Sequence, residues 1–347
     1  MTPLSPVLFN LVLDGALREV SQVWDRRGYG TDIGRPVRGC RLTHIAFADD
    51  QTLVARSWIT LKRMILKLRE SLLLRGLALH PSKCKVQTNN NEHTQRGPVQ
   101  LSDDFAIQIL QTDECLELLG TSLSLTDPTG AEIDHRIATG WRKFWGMQKL
   151  LLNHSFSVKQ RLRMFNSTIT ETVLWATESW APRAEELRRL RSTMNAMLRK
   201  IVGAVPIGEM LWVDWIQIVT ERARRRAREA GVRDWVVLHL QRKWRWASTL
   251  MSHSEDEWTR RVTEWRDSMW QEAADNFGVA RPMRPLRRRW MRFEDVLRRF
   301  CRVHNIEAWQ CAATDKEDWA DHSKAFVQWA DSTWTHREVE ASSDPSF

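Results

Sequence analysis

Among 347 residues there is one tyrosine, Tyr29, no CxxC pair among five cysteines, and no apolar run long enough to span a bilayer. A spanning helix needs about 18 or more such residues, so nothing here crosses a membrane by that route. Cys40, Cys84, Cys115, Cys301 and Cys311 are odd in number and widely spread. That excludes a disulfide framework and leads to the expectation of a reducing, intracellular location, the nucleus included. The N-terminus, MTPLSPVLFNLVLDGALREV, has no basic start and no small-residue cleavage site, so it is not a secretory signal. It reads like the middle of a domain. Hydrophobic residues at 42% and charged residues at 27% exclude a wholly disordered chain. The length exceeds what one core of about 250–300 residues holds, which predicts more than one domain.

What is present is unevenly placed. The formal charge of +9 directs the search for partners toward polyanions. Residues 1–135 hold 15 basic and 16 acidic side chains, residues 136–200 hold 13 and 4, and residues 201–347 hold 24 and 23. The whole excess therefore lies in one stretch of 65 residues. Only Trp24 and Trp58 of the 19 tryptophans precede residue 135. Arginine outnumbers lysine 41 to 11, which suits bidentate phosphate contact and equally a GC-rich coding bias.

Ser5 and Pro6 open a helix, with Ser5 as the cap and the helix running to about Val20. Residues 25–41 read as a loop or loose hairpin. Two short apolar stretches, Leu42 to Ala48 and Thr52 to Ala55, meet at Asp49-Asp50-Gln51, which predicts a β-hairpin with two acids at its turn. Ser57 caps an amphipathic helix bearing Trp58, Leu61, Ile65, Leu68 and Leu72, which Gly76 ends. LALHPSKCKVQT reads as a strand interrupted at Pro81, and residues 88–104 as a loop. The order predicts an α+β layer of helices on a small antiparallel sheet.

After residue 130 the pattern is helical. Three apolar stripes follow: Ile133, Ile137, Trp141, Phe144 and Trp145; then Leu162, Phe165, Ile169 and Val173; then Leu187, Leu190, Met194, Met197, Leu198 and Ile201 before Gly203. Helices over about 209–230 and 287–301, a linker at 281–285 and a frayed tail complete the reading. Most tryptophans sit at apolar helical spacing and read as core.

Adjacent carboxylates on a tight hairpin suit a divalent metal, though Asp-Asp pairs also serve as plain turns. The surroundings add a resemblance. PLSPVLFNLVLD, IAFADDQTLVA, GLALHPSKCKV and LELLGTSLS, in that order, resemble the palm of reverse transcriptases of non-LTR, LINE-type retrotransposons. The resemblance implies two-magnesium nucleotidyl transfer, an RNA template, a DNA primer and deoxynucleoside triphosphates. It places Asp49 as a metal ligand with Asp50 beside it, and Lys83 at the leaving pyrophosphate. Pro3, Ser5 and Phe9 match the segment beside the incoming nucleotide, Phe47 the apolar start of the FADD hairpin, and Gly120 the primer-grip turn, where Leu118 replaces an aromatic. Downstream, LWATESW, KWRWASTLMSHSEDEW and RPMRPLRRRWMRFEDVL are similar to the thumb and C-terminal stretches of the same elements.

The implied architecture is a partial palm over 1–130, a basic helical thumb over 131–205, a Trp- and Arg-rich helical region over 206–280, a C-terminal helical region over 281–337 and a tail over 338–347. Arg142, Lys143, Lys149, Lys159, Arg161 and Arg163 fall off the apolar stripes and are expected to face template-primer phosphates. Matching starts at Met1, where the family has a glycine, so an N-terminally truncated unit is expected, lacking the fingers and the strand that carries another catalytic aspartate. Asp14, Asp25 and Asp32 stand in the wrong context to replace it, and Asp103-Asp104 falls in the expected loop. Neither an endonuclease domain nor a CCHC knuckle is recognisable. Cys301, His304, Cys311 and His322 are irregularly spaced and read as core cysteine and surface histidine rather than zinc ligands. The alternative to an enzyme fragment inactive alone is a non-catalytic, basic nucleic-acid-binding remnant. Oligomeric state is not readable.

Overall fold

The computed structural model describes residues 4–32, 41–89, 97–203, 211–255, 257–264 and 292–334. Helix α1 (Ser5–Arg26) has Leu4 rather than Ser5 at its cap, with Pro6 in the first turn. It runs past Val20 because Trp24 continues the buried series Leu13, Ala16, Leu17, Val20 by one more turn. Strands β1 (Thr31–Asp32) and β2 (Arg41–Leu42) pair antiparallel, as do β3 (His44–Phe47) and β4 (Asp50–Leu53). The Ser57 side chain caps α2 (Trp58–Leu73) by accepting from Thr60 N–H at 3.2 Å. The predicted cap and the stop at Gly76, whose φ is +74°, are both found.

The chain after α2 departs from expectation. Pro81–Lys83 forms one turn of 3₁₀ helix, and only β5 (Lys85–Val86) is strand. The expected loop over 88–104 instead holds β6 (Gly97–Ser102), which pairs antiparallel with β7 (Phe105–Ile109), and β5 adds parallel to β7. Phe105, Ile107 and Ile109 alternate into a core with Ile65, Val86 and Leu101, and that burial favours the strand. Asp103 and Asp104 lie at the hairpin tip, where Asp104 pairs with Arg69. A last hairpin joins β8 (Leu116–Leu118) to β9 (Thr121–Leu123). These elements form the first of two compact units, which spans residues 1–126 and 255–287 and includes α10 (Trp258–Glu264).

The second unit, residues 127–254 and 288–347, is all-helical among its described residues. It comprises α3 (Pro128–Gly146), α4 (Gln148–Leu151), α5 (Val158–Phe165), α6 (Glu171–Val173), α7 (Ala184–Val202), α8 (Trp212–Glu229) and α9 (Trp235–Met251). After α10, the chain returns to it as α11 (Asp295–Val303), α12 (Trp309–Ala312), α13 (Lys316–Asp321) and α14 (Ser323–Trp329). A π turn, Asn166–Thr170, links α5 to α6. One core runs from Ile133 to Ala330, so the segments expected as thumb, middle and C-terminal regions share a single interior. Gly140 lets α3 close on α6, because a Cβ there would collide with Val173. Trp235, Trp244, Trp309 and Trp319 are buried, in line with their reading as core, whereas Trp145, Trp175 and Trp212 are exposed. Trp244 and Trp319 stack in parallel with ring centroids 3.6 Å apart, each indole N–H donating to the other's backbone carbonyl at 2.7 and 2.8 Å. The tail, the 281–285 linker and Pro3 lie outside the described residues. Among the described residues no helix is long and apolar enough to cross a membrane.

Candidate functional site

The β3–β4 hairpin carries the acids. Its register pairs Phe47 with Asp50, so the two-residue loop is Ala48-Asp49 and the turn lies one residue earlier than the sequence suggested. Ala48 has φ +51°, a left-handed conformation that a residue with a Cβ adopts at a cost, typically at sites where geometry matters more than stability. By strand alternation Ile45, Phe47, Asp50 and Thr52 share one face. On it Ile45 is 50% and Phe47 65% exposed. Asp49 and Asp50 are both solvent-facing. At the other end of β3, His44 packs edge-on against Trp24, and burial lowers its pKa while nearby Asp25 acts in opposition. Asp25 thus lies at the hairpin's base, and Asp14 pairs with Arg18 at 2.7 Å.

Lys83 is exposed at the end of the 3₁₀ turn, which is anchored on β7 by the Gln108 N–H to Cys84 carbonyl bond of 3.2 Å. Gly120 follows Leu119 in the β8–β9 turn, with φ +76° and +50° respectively. Two consecutive positive φ values are what a tight two-residue hairpin requires, which accounts for the glycine and leaves Leu119 in a costly conformation. Gln87, which sequence reasoning passed over, ties this hairpin down by donating from Nε2 to the carbonyls of Glu114 and Leu123, both at 3.1 Å. Ser5 and Phe9 lie on the first turns of α1, where Leu4, Val7, Leu8 and Leu11 are also exposed. The structure therefore unites Phe47, Asp49 and Asp50 on one hairpin and distributes Ser5, Phe9, Lys83 and Gly120 over three other elements.

Of the six basic candidates, Arg142, Lys143, Lys149, Lys159 and Arg163 are exposed. Arg142 donates to Thr139 at 2.8 Å and Lys143 to Thr172 at 2.8 Å. Arg161 is the exception. It is only 3% exposed and its Nη1 donates to the Ile201 carbonyl at 2.6 Å, satisfying the C-terminal end of α7. Its guanidinium is a helix cap, not a phosphate contact, and burial lowers its pKa. Sequence reasoning also missed His239 and Lys243, one turn apart on α9 and both about 1% exposed. Burial pushes His239 down to about 3 and Lys243 down to about 7, and Lys243 Nζ donates to the Trp180 carbonyl at 2.6 Å.

Residues 2–123 match the family described as reverse transcriptase (RNA-dependent DNA polymerase). Over this stretch, about a third of its length, the chain is similar to reverse transcriptases. A transposon-derived protein of Caenorhabditis elegans is 26% identical over 293 residues, covering 82% of this chain and 95% of that protein. A retrovirus-related Pol polyprotein from the type-2 retrotransposable element R2DM of Drosophila melanogaster is 37% identical over 130 residues, covering 36% of this chain and 11% of that polyprotein. The matched segment contains the β3–β4 and β8–β9 hairpins, the 3₁₀ turn and α1, so Pro3, Ser5, Phe9, Phe47, Asp49, Asp50, Lys83 and Gly120 all fall within it.

Reverse transcriptases use divalent metal ions, and the residues present fit that requirement only in part. Two ions held for nucleotidyl transfer need carboxylates from more than one strand. Among the described residues no three His, Cys, Asp or Glu side chains gather as a metal site. Asp49 and Asp50 are adjacent, exposed hard oxygen donors, and no third ligand gathers with them among the described residues.

Proposed function

We propose that the chain is the reverse transcriptase portion of a LINE-type retroelement product, built for RNA-templated DNA synthesis by two-metal nucleotidyl transfer, and that it does not polymerise by itself. The observation that carries this reading is the exposed Phe47-Ala48-Asp49-Asp50 hairpin inside the family-matched segment. Asp49 is the proposed magnesium ligand, with Asp50 assisting, and Lys83 the group that neutralises or protonates the departing pyrophosphate. Pro3, Ser5, Phe9 and Phe47 attend the incoming nucleotide and Gly120 the primer end. Among the described residues the ligand set stops at two carboxylates, on a two-stranded sheet whose outer face leaves Ile45 and Phe47 uncovered, and this supports the incompleteness. RNA template and DNA primer are the proposed partners, and the cysteine usage supports a reducing, intracellular site of action.

A second reading, binding without catalysis, is favoured by Arg142, Lys149, Lys159 and Arg163, four exposed cations that meet no carboxylate among the described residues. Primer extension on poly(rA)/oligo(dT) with Mg²⁺ tests both. The expected outcome is no extension, with the duplex retained in a mobility shift. Extension abolished by Asp49→Ala overturns the inactivity, and absence of a shift overturns the binding.

A further inference from the structure

Across the seam between α7 and α8, two arginines exchange partners. Arg199 Nη1 on α7 donates to Thr220 Oγ1 on α8 at 2.9 Å, and Arg224 Nε on α8 donates to Asn195 Oδ1 on α7 at 3.1 Å. Asn195 and Arg199 are one turn apart, as are Thr220 and Arg224, so the two cations occupy adjacent rungs of one antiparallel groove. Both are half-buried. Neither meets a carboxylate among the described residues: Glu221 is held by Arg228 at 2.8 Å and Glu229 by Arg226 at 3.4 Å. Burial first, and the charge of Arg224 second, lower the pKa of Arg199.

Arg191, two turns earlier on α7 and also half-buried, shows the alternative. It is satisfied by Asp234 and by Asp331 at 2.7 Å. Arg191 has acids around it, whereas the Arg199–Arg224 pair brings like charges together with hydroxyl and amide partners among the described residues. Like charges held near enough to feel one another oppose folding, and an anion between them relieves the repulsion.

We infer that the Arg199–Arg224 groove binds the phosphodiester backbone of a polynucleotide, one phosphate bridged by both guanidiniums. Each guanidinium has four further N–H donors beyond the one spent across the seam, and the planar fork matches phosphate geometry. Exposed Arg222 and Arg225 continue the positive charge along α8. The site rests on the nucleic-acid half of the proposed function but not on catalysis, and none of its residues belongs to the surface argued there.

The test uses the full chain, an RNA–DNA hybrid duplex as the anisotropy probe, and a salt series. Arg199→Gln with Arg224→Gln is expected to bind roughly tenfold more weakly, with a salt slope shallower by about 1 to 2. Its melting temperature is expected to stay level or rise, because repulsion has been removed, and pyrophosphate is expected to raise the melting temperature of the parent but not of the variant. A lowered melting temperature with an unchanged slope identifies a purely structural pair and overturns the site. Competition by polyglutamate as strong as by pyrophosphate at equal charge identifies an acidic-protein partner and also overturns it. Lys149→Gln with Lys159→Gln leaves the groove intact; affinity lost there and not in the arginine variant sinks the groove while the broader reading stands. A parent chain that does not hold the duplex sinks both.

Discussion

The two units of the chain treat charge in opposite ways. In the first, Asp49, Asp50 and Lys83 stand in solvent on turns, over two small cores, and the hairpins that carry the family's motifs bend through left-handed residues, Ala48 and Leu119. In the second, charges are drawn inward: Glu132 pairs with Arg136 at 2.6 Å while both are buried, Arg161 caps a helix, and Lys243 sits in the interior. The first unit presents exposed charges on a thin scaffold and leaves its apolar residues Ile45 and Phe47 uncovered. The second spends its side chains on holding a large tryptophan-rich interior in one arrangement. Exposure and burial of charge are thus assigned to different parts of one chain.

Mutations should break the contrast in a graded way. Trp244→Ala removes a fully buried indole, its stacking partner and a reciprocal hydrogen bond, and is expected to cost about 3–5 kcal/mol by chemical denaturation. Phe47→Ala, equally a loss of an aromatic ring, should barely shift the same curve because the ring is already in water. A comparable cost at both positions would end the distinction between the units.

Lys243 gives the next largest effect. Burial pushes it down to about 7, while an unfolded lysine keeps its proton to about 10.4. Between those values the unfolded chain binds more protons, so stability is lowest at and below about pH 7 and rises above it. The Trp180 carbonyl and the Phe293 ring, 4.1 Å from Nζ, favour the charged form and offset part of this. From pH 7 to 8.5 the unfolding free energy is expected to rise by up to about 2 kcal/mol. Lys243→Met should flatten the profile. The window stops there because the Cys301 thiol, pushed up to about 11 by burial, contributes the opposite slope at higher pH. The smallest effect is at the hairpin: Asp49→Asn should leave the denaturation midpoint in place, and a clear loss would show that the acid is part of the scaffold.

The sequence made the FADD hairpin legible because apolar residues flank a polar turn, yet misplaced the turn by one residue, since nothing local says that Asp50 pairs with Phe47. Ser57 and Gly76 were legible for a stronger reason: caps are satisfied within a few residues of themselves. The β6–β7 hairpin was hidden by its own polar half, Gly97-Pro98 and Gln100, and became a strand only because Phe105, Ile107 and Ile109 found Ile65 and Val86 to cover them. Arg161 was misread because its partner carbonyl at Ile201 is 40 residues away, beyond the reach of helical periodicity. Separations of 21 and 29 residues hid the Arg199–Arg224 groove in the same way.

The mutual grip of Trp244 and Trp319 joins points 75 residues apart. The entropy of closing such a loop grows only with the logarithm of its length, so doubling it costs about 0.6 kcal/mol. The helical unit can therefore absorb extra sequence between these tryptophans without losing its hold on either end. The exposed junction of Ser254 and Glu255, where one unit gives way to the other, lies inside that loop, so residues inserted there should leave the same pinned interior.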